Sequence, residues 1–223
     1  MTFMAALSAL WASSTTTLGD VTAVTGSATA NPTMWYITRA AAISAYITLT
    51  VTVILGLFRS LVRVSRIRSR VVLWLLDEAH PFLAVLTAAF VALHLLSLLL
   101  DPLIPFAPLN LLVPVAEPYR PFAVDLGVLA LYGLLILWFS SWLRRAIGHT
   151  TWRALHYTSF ALFVVVSAHG ILAGTDASRP WMWLVYLGGS GTVLLLVLAR
   201  LFMPPMDAPQ VSETPSARRQ WNA

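Results

Sequence analysis

Five stretches of the chain are apolar and long enough to cross a hydrocarbon core, which takes about 20 helical residues. They run Tyr36–Phe58, Pro81–Leu100, Phe122–Leu143, Ala154–Ala173 and Trp181–Met203, with Arg, Asp, Glu and Pro collected in the short segments between them. This pattern predicts an all-α integral membrane protein, a bundle of five transmembrane helices occupying residues 35–203. The flanks differ. Within residues 1–34, the apolar run Met1–Ala12 is only about half a span long and lacks the basic start of a signal peptide, and a Ser-, Thr-, Ala- and Gly-rich stretch follows it. That segment reads as a flexible extracytoplasmic tail. Residues 204–223, with Pro204, Pro205 and Pro209, read as a disordered cytoplasmic tail.

Composition supports the same class. Hydrophobic residues make up 58% of the 223 positions and charged residues 10%, where a soluble domain carries roughly a quarter. A soluble nucleotide-binding domain of ~100 to 200 residues has no room beside five spans. The chain has no cysteine, which excludes disulfides, c-type haem attachment, thiolate-held iron–sulfur clusters and a cysteine nucleophile. It also has no lysine, so Walker and Schiff-base lysines are excluded and all 14 basic residues are Arg. The net charge of +5 does not point to nucleic acid, because the Arg residues sit in short loops where membrane topology explains them.

Those loops predict an orientation. Arg59, Arg63, Arg66, Arg68 and Arg70 follow the first span, and Arg144, Arg145 and Arg153 follow the third. The other connections hold only Arg120 and Arg179, beside Asp101, Glu117 and Asp176. Basic loops stay in the cytoplasm, so the N-terminus is expected outside and the C-terminus inside, in a plasma (inner) membrane. Trp35, Trp74, Trp138, Trp142, Trp152, Trp181 and Trp183 lie near span ends, as an interfacial belt does.

Four of the five histidines lie in two spans: His80 and His94 in the second, His156 and His169 in the fourth. Ionisable side chains in lipid are costly and mark function by default. Both spans run from inside to outside, so His80 and His156 share a depth near the inner surface. His94 is ~21 Å further along its helix and His169 ~20 Å further along its own. Two same-level pairs on parallel helices suit two bis-imidazole b haems, since each iron takes one axial nitrogen from either side. Fourteen residues return a side chain to within ~40° of its starting face, but thirteen leave His169 about 140° from His156 on an ideal helix. The fourth span is therefore expected to be locally irregular, or its two haems to lie on different sides of it. Gly170 and Gly174 are candidates to ease the fit of a macrocycle.

The spacings His80-x13-His94 and His156-x12-His169, with Arg145-Ala-Ile-Gly-His-Thr-Thr-Trp-Arg-Ala-Leu-His156 before the second pair and His169-Gly-Ile-Leu-Ala-Gly-Thr-Asp176 after its second member, resemble the ferric reductase-like transmembrane domain. That family includes the membrane halves of NADPH oxidases and ferric reductases and the haem-b subunit of bacterial methionine sulfoxide reductase systems. The resemblance covers roughly residues 35–203. It implies that His80 and His156 ligate an inner haem iron and His94 and His169 an outer one. Many members have six helices, and oxidase and reductase members continue into cytosolic FAD and NADPH domains. This chain ends some 20 residues after its fifth span and is expected to need a partner to oxidise a nicotinamide.

Haem propionates prefer Arg or the membrane surface. Arg144, Arg145 and Arg153 are placed to meet the inner haem. Arg39, about one turn into the first span, is a candidate for an outer propionate or a quinone head group, with an ion pair to Asp125 as the plain alternative. His149 reads as a loop histidine, Asp77 and Glu78 as carboxylates at a helix start, and Val71–Leu76 as an interfacial turn before a break at Pro81. The functional expectation is a di-haem b cytochrome carrying electrons between a cytosolic flavin-dependent reductase, or a membrane quinol, and an outer-side redox acceptor; a quinone or flavin is a further cofactor candidate. The alternatives are a haem-free transporter with a proton or metal pathway through the histidines, and a subunit that only anchors a partner complex.

Overall fold

The computed structural model describes residues 32–64, 69–102, 106–114 and 120–202. The tails expected at 1–34 and 204–223 therefore fall almost wholly outside the described residues. Within those residues all regular structure is helical, with no strand. The helices are α1 (Thr33–Val64), α2 (Arg70–Leu99), α3 (Pro121–Trp142), α4 (Arg144–Ile147), α5 (His149–Tyr157), α6 (Ser159–Ala173) and α7 (Pro180–Phe202), with a 3-10 turn at Pro108–Leu111 between α2 and α3. Five helical stretches are long and apolar enough to cross a membrane: α1, α2, α3, the α5–α6 pair and α7. Their exposed surface carries Leu184, Leu201, Phe202, Phe122 and Trp142, which fits a lipid-facing bundle.

The helices extend past the apolar runs. α2 starts at Arg70, so residues 71–76 are helix and not an interfacial turn, and Pro81 lies inside the helix without ending it. The Ser69 hydroxyl caps its start by accepting from the Val72 N–H at 3.4 Å. Proline lacks the N–H that would bond back to Asp77, a loss that long membrane helices tolerate when neighbours hold them straight. The Asp77 carboxylate pairs with Arg59 of α1 at this level.

α1 is the organising helix. Its most apolar stretch is 39% buried, against 11 to 17% for the other four, and it packs on α2, α6 and α7. Tyr46, Val53 and Leu57 of α1 meet Phe163 of α6 and Met182, Tyr186 and Val193 of α7 in the hydrophobic core. Glycines permit the closest approaches. A Cβ on Gly189 of α7 would lie 2.8 Å from Thr50 Cγ2 of α1, and one on Gly133 of α3 would lie 2.9 Å from Leu162 of α6. α3 packs on α6, whereas α2 has only marginal contact with α3 or α6. The two histidine-bearing spans are thus not closely packed backbone to backbone.

The fourth span is broken at Thr158. The Thr158 N–H and hydroxyl both bond to the Leu155 carbonyl, three residues back, at 3.0 and 2.7 Å. Such a tight turn winds faster than α-helix and rotates His169 toward the face of His156. At ~20° of extra winding per residue, the turn makes up part of the ~140° offset that the thirteen-residue spacing leaves. At the opposite end, Arg120 closes the α3–α6 seam. Its guanidinium donates to the Leu172 and Ala173 carbonyls at 3.1 and 3.4 Å, where α6 leaves acceptors unpaired. Its own backbone is left-handed, with φ 46°. Arg120→Ala and Arg120→Gly both remove the cap, but glycine relieves the left-handed conformation. Unfolding in detergent is expected to show the alanine variant less stable than the glycine variant by about 1 kcal/mol.

Candidate functional site

The four intramembrane histidines are held by backbone. On α2, His80 donates from Nδ1 to the Thr52 carbonyl at 2.9 Å, and His94 donates from Nδ1 to the Thr38 carbonyl at 3.1 Å. Thr38 and Thr52 are both on α1 and are fourteen residues apart, as are the histidines they hold. α1 and α2 are antiparallel, so one register serves both bonds. On α6, His169 donates from Nδ1 to the Ala123 carbonyl of α3 at 2.7 Å. A carbonyl only accepts, so the proton is on Nδ1 in all three rings and Nε2 keeps its lone pair. That is the tautomer in which second-shell bonds prepare imidazole for a metal.

His156 differs. Its Nδ1 is buried and has no hydrogen-bond partner among the described residues. The ring stacks on Trp152, one turn earlier in α5, with centroids 5.0 Å apart and planes at 26°. It also meets His80, with ring centroids 6.2 Å apart and planes at 69°. At the other level, His94 and His169 line one cavity of about 260 Å³. The histidines are thus brought together as His80 with His156 and His94 with His169.

Two glycines make room for the rings. A Cβ on Gly56 would fall 3.1 Å from His80 Cε1, and one on Gly127 would fall 2.6 Å from His169 Cε1. The glycines singled out from the sequence, Gly170 and Gly174, line the cavity of His94 and His169, and a Cβ on Gly170 would strike the Tyr186 hydroxyl at 2.8 Å. Gly170 also seats Tyr186, while Gly56 and Gly127 seat the histidines.

The arginines separate into different settings. Arg39 lines the cavity of His94 and His169 but is paired with Asp176, through Nε to Oδ2 at 2.9 Å and a terminal nitrogen to Oδ1 at 2.5 Å. Its carboxylate partner is therefore Asp176, not Asp125. Arg145 lines a second, basic pocket with Arg59, Arg144, His149 and Trp152, next to the His80 and His156 rings. Arg153 lies outside that pocket, exposed, and reaches the Tyr157 hydroxyl at 3.3 Å. Arg59, at the end of α1, is the member of this group that sequence reading left among the loop arginines.

Among the described residues, no group of three or more His, Asp or Glu side chains converges as an ion site. Imidazole nitrogens come in twos. In comparisons with known proteins, no family model, curated protein or solved structure matches this chain. What the comparisons leave standing is the class, a five-helix membrane bundle, and a site defined by its side chains. The glycine cradles give a direct test. Gly127→Val should displace His169 from the Ala123 carbonyl and cost about 1–3 kcal/mol by overpacking, whereas Gly56→Ala, with more space, should cost less. Unfolding in detergent with nitrogen NMR of the imidazoles measures both effects.

Proposed function

We propose that the chain is a transmembrane di-haem b cytochrome of the ferric reductase-like kind, carrying electrons across the membrane between redox partners. The observation that carries this reading is the pairing of four lone-pair imidazoles at two levels. Two nitrogens with no third His, Asp or Glu converging on them among the described residues suit a metal already bound in a macrocycle. The His80 and His156 rings, with centroids 6.2 Å apart, lie close enough for both to hold one such group. The cavity lined by His94 of α2, Gly127 of α3 and His169 of α6 is the space into which a flat group can enter.

His80 and His156 would hold the haem at the Arg-rich end, and His94 and His169 the haem at the opposite end. When bound, haem b supplies one-electron redox chemistry between ferric and ferrous iron. The chain supplies the rest: imidazole orientation through the Thr38, Thr52 and Ala123 carbonyls, and an apolar cavity wall that excludes water. Arg144 and Arg145 put positive charge beside the His80–His156 level, suited to carboxylates, while Arg59 is paired with Asp77. Arg39 is neutralised by Asp176, so at the other level it offers an oriented ion pair and not a free cation.

The direction proposed is from the cytosolic side to an outer acceptor, with the Arg-rich end inside as basic loops dictate. A flavin-dependent reductase or a membrane quinol is the donor class. Arginines at that end attract an acidic docking face, so reduction by a soluble donor should slow as salt rises, while reduction by a quinol should not.

Three experiments test the reading. A pyridine haemochrome assay on purified, folded protein should give two b haems per chain, and a haem-free result would leave the transporter alternative. In redox titration, His80→Ala and His156→Ala should each abolish one and the same potential, and His94→Ala and His169→Ala the other. Loss of the same potential in His80→Ala and His169→Ala would contradict the pairing. Alkaline phosphatase fused after Asp101 should be active and after Phe202 silent; the reverse would invert the electron path.

A further inference from the structure

α1 carries several threonines in its buried seam, and most of them bond within their own helix. Thr48, Thr50 and Thr52 donate to carbonyls four residues back, at 2.8, 2.7 and 2.7 Å. This back-bonding is the ordinary resting place of a hydroxyl in a membrane helix. Thr38 departs from it. Its Oγ1 donates across the interface to Ser97 Oγ of α2 at 2.8 Å, and Ser97 in turn donates to the His94 carbonyl at 2.9 Å. His94 donates from Nδ1 to the Thr38 carbonyl at 3.1 Å. The three residues thus close a ring: imidazole to Thr38, Thr38 to Ser97, Ser97 to the backbone of the histidine itself.

Burial makes the ring strong. Ser97 is 2% exposed and Thr38 5%. With no water to substitute, each hydroxyl has few alternatives, and loosening one bond leaves another group unsatisfied. The His80 level lacks this device. Thr52, whose carbonyl takes the His80 proton, turns its hydroxyl into its own helix. The nearest hydroxyl bridge to α2, from Thr87 to Thr48 at 3.0 Å, involves a residue seven positions from His80.

We propose that the Thr38–Ser97 hydroxyl bridge is a positioning device for His94. It holds the Thr38 carbonyl against Nδ1–H, keeps His94 as an Nε2 ligand, and so lowers the potential of one haem and not the other. The part about potential rests on the cytochrome reading; the part about His94 does not. A held Nδ1–H···O=C bond raises the basicity of the ligating nitrogen and favours ferric iron. Loosening it should therefore raise the potential at the His94–His169 level alone.

The test uses Thr38→Val, which keeps the shape of the side chain and removes the donor, with Thr38→Ser as the control that retains the hydroxyl. Ser97→Ala removes the other half of the bridge and serves if the valine variant does not fold. In the haem-free protein, nitrogen NMR should show His94 as one tautomer, protonated on Nδ1, in the native chain and in Thr38→Ser. Thr38→Val and Ser97→Ala should give a mixture of tautomers. In the haem-loaded protein the same two variants should raise one of the two potentials and leave the other in place. An unchanged His94 tautomer would overturn the proposal and leave the hydroxyls as helix-packing contacts. Unchanged potentials with a changed tautomer would overturn the claim on redox tuning. If the chain takes up no haem, the NMR arm still decides the positioning of His94 while the cytochrome reading falls.

Discussion

The rest of the arrangement depends on one bond, from an imidazole Nδ1–H to a backbone carbonyl of the neighbouring helix. A neutral histidine inside a membrane must satisfy that N–H without water. A helix carbonyl can accept it without giving up its own ladder bond, because the oxygen has a second lone pair. The demand is strict in register. Each residue of helix turns the backbone by ~100°, so a slip of one residue between α1 and α2 would carry the Thr38 and Thr52 carbonyls away from both rings. Two bonds fourteen residues apart therefore fix the α1–α2 pair as one unit.

With that unit fixed, the bundle follows from what α1 has left to bury. Its remaining faces take α6 and α7 through Tyr46, Val53 and Leu57, and α6 brings α3 with it. α2 stays on the outside of this group, attached through α1. Fixed charges mark both ends: Arg39 with Asp176 and Arg120 on the α6 carbonyls at one, Arg59 with Asp77 at the other. The middle of the bundle is left to apolar contacts, hydroxyls and imidazole.

Much of this was legible in the sequence. Span number follows from hydropathy, and the shared depths of the histidines follow from helical rise. Helix ends were less legible, because polar residues such as Arg59, Arg70 and His149 continue a helix past the hydrocarbon and Pro81 does not stop one that neighbours support. The partners of the histidines were hidden for a different reason. Every residue has a carbonyl, so nothing in the side chain of Ala123 marks it as an acceptor. Thr38 and Thr52 left a faint signal, a fourteen-residue repeat matching that of His80 and His94. Gly127 could not be told from Gly170 without knowing which side chain each one faces. Asp176 and Asp125 lie at the same end of the bundle, and only the packing of α6 beside α1 decides which one meets Arg39.

The break at Thr158 bears on how tightly the spacing of the histidines is constrained. A tight turn between His156 and His169 supplies extra winding, so thirteen residues turn further than they would in an ideal helix. Such winding inside a span loosens the tie between the count of residues and the direction a side chain faces. It offsets part of the ~100° swing that a single deletion or insertion nearby would cause, whereas the same change in the unbroken helix α2 would swing His94 by the whole ~100°. The spacing of His156 and His169 in the broken span is therefore under a looser geometric constraint than that of His80 and His94 in the continuous one.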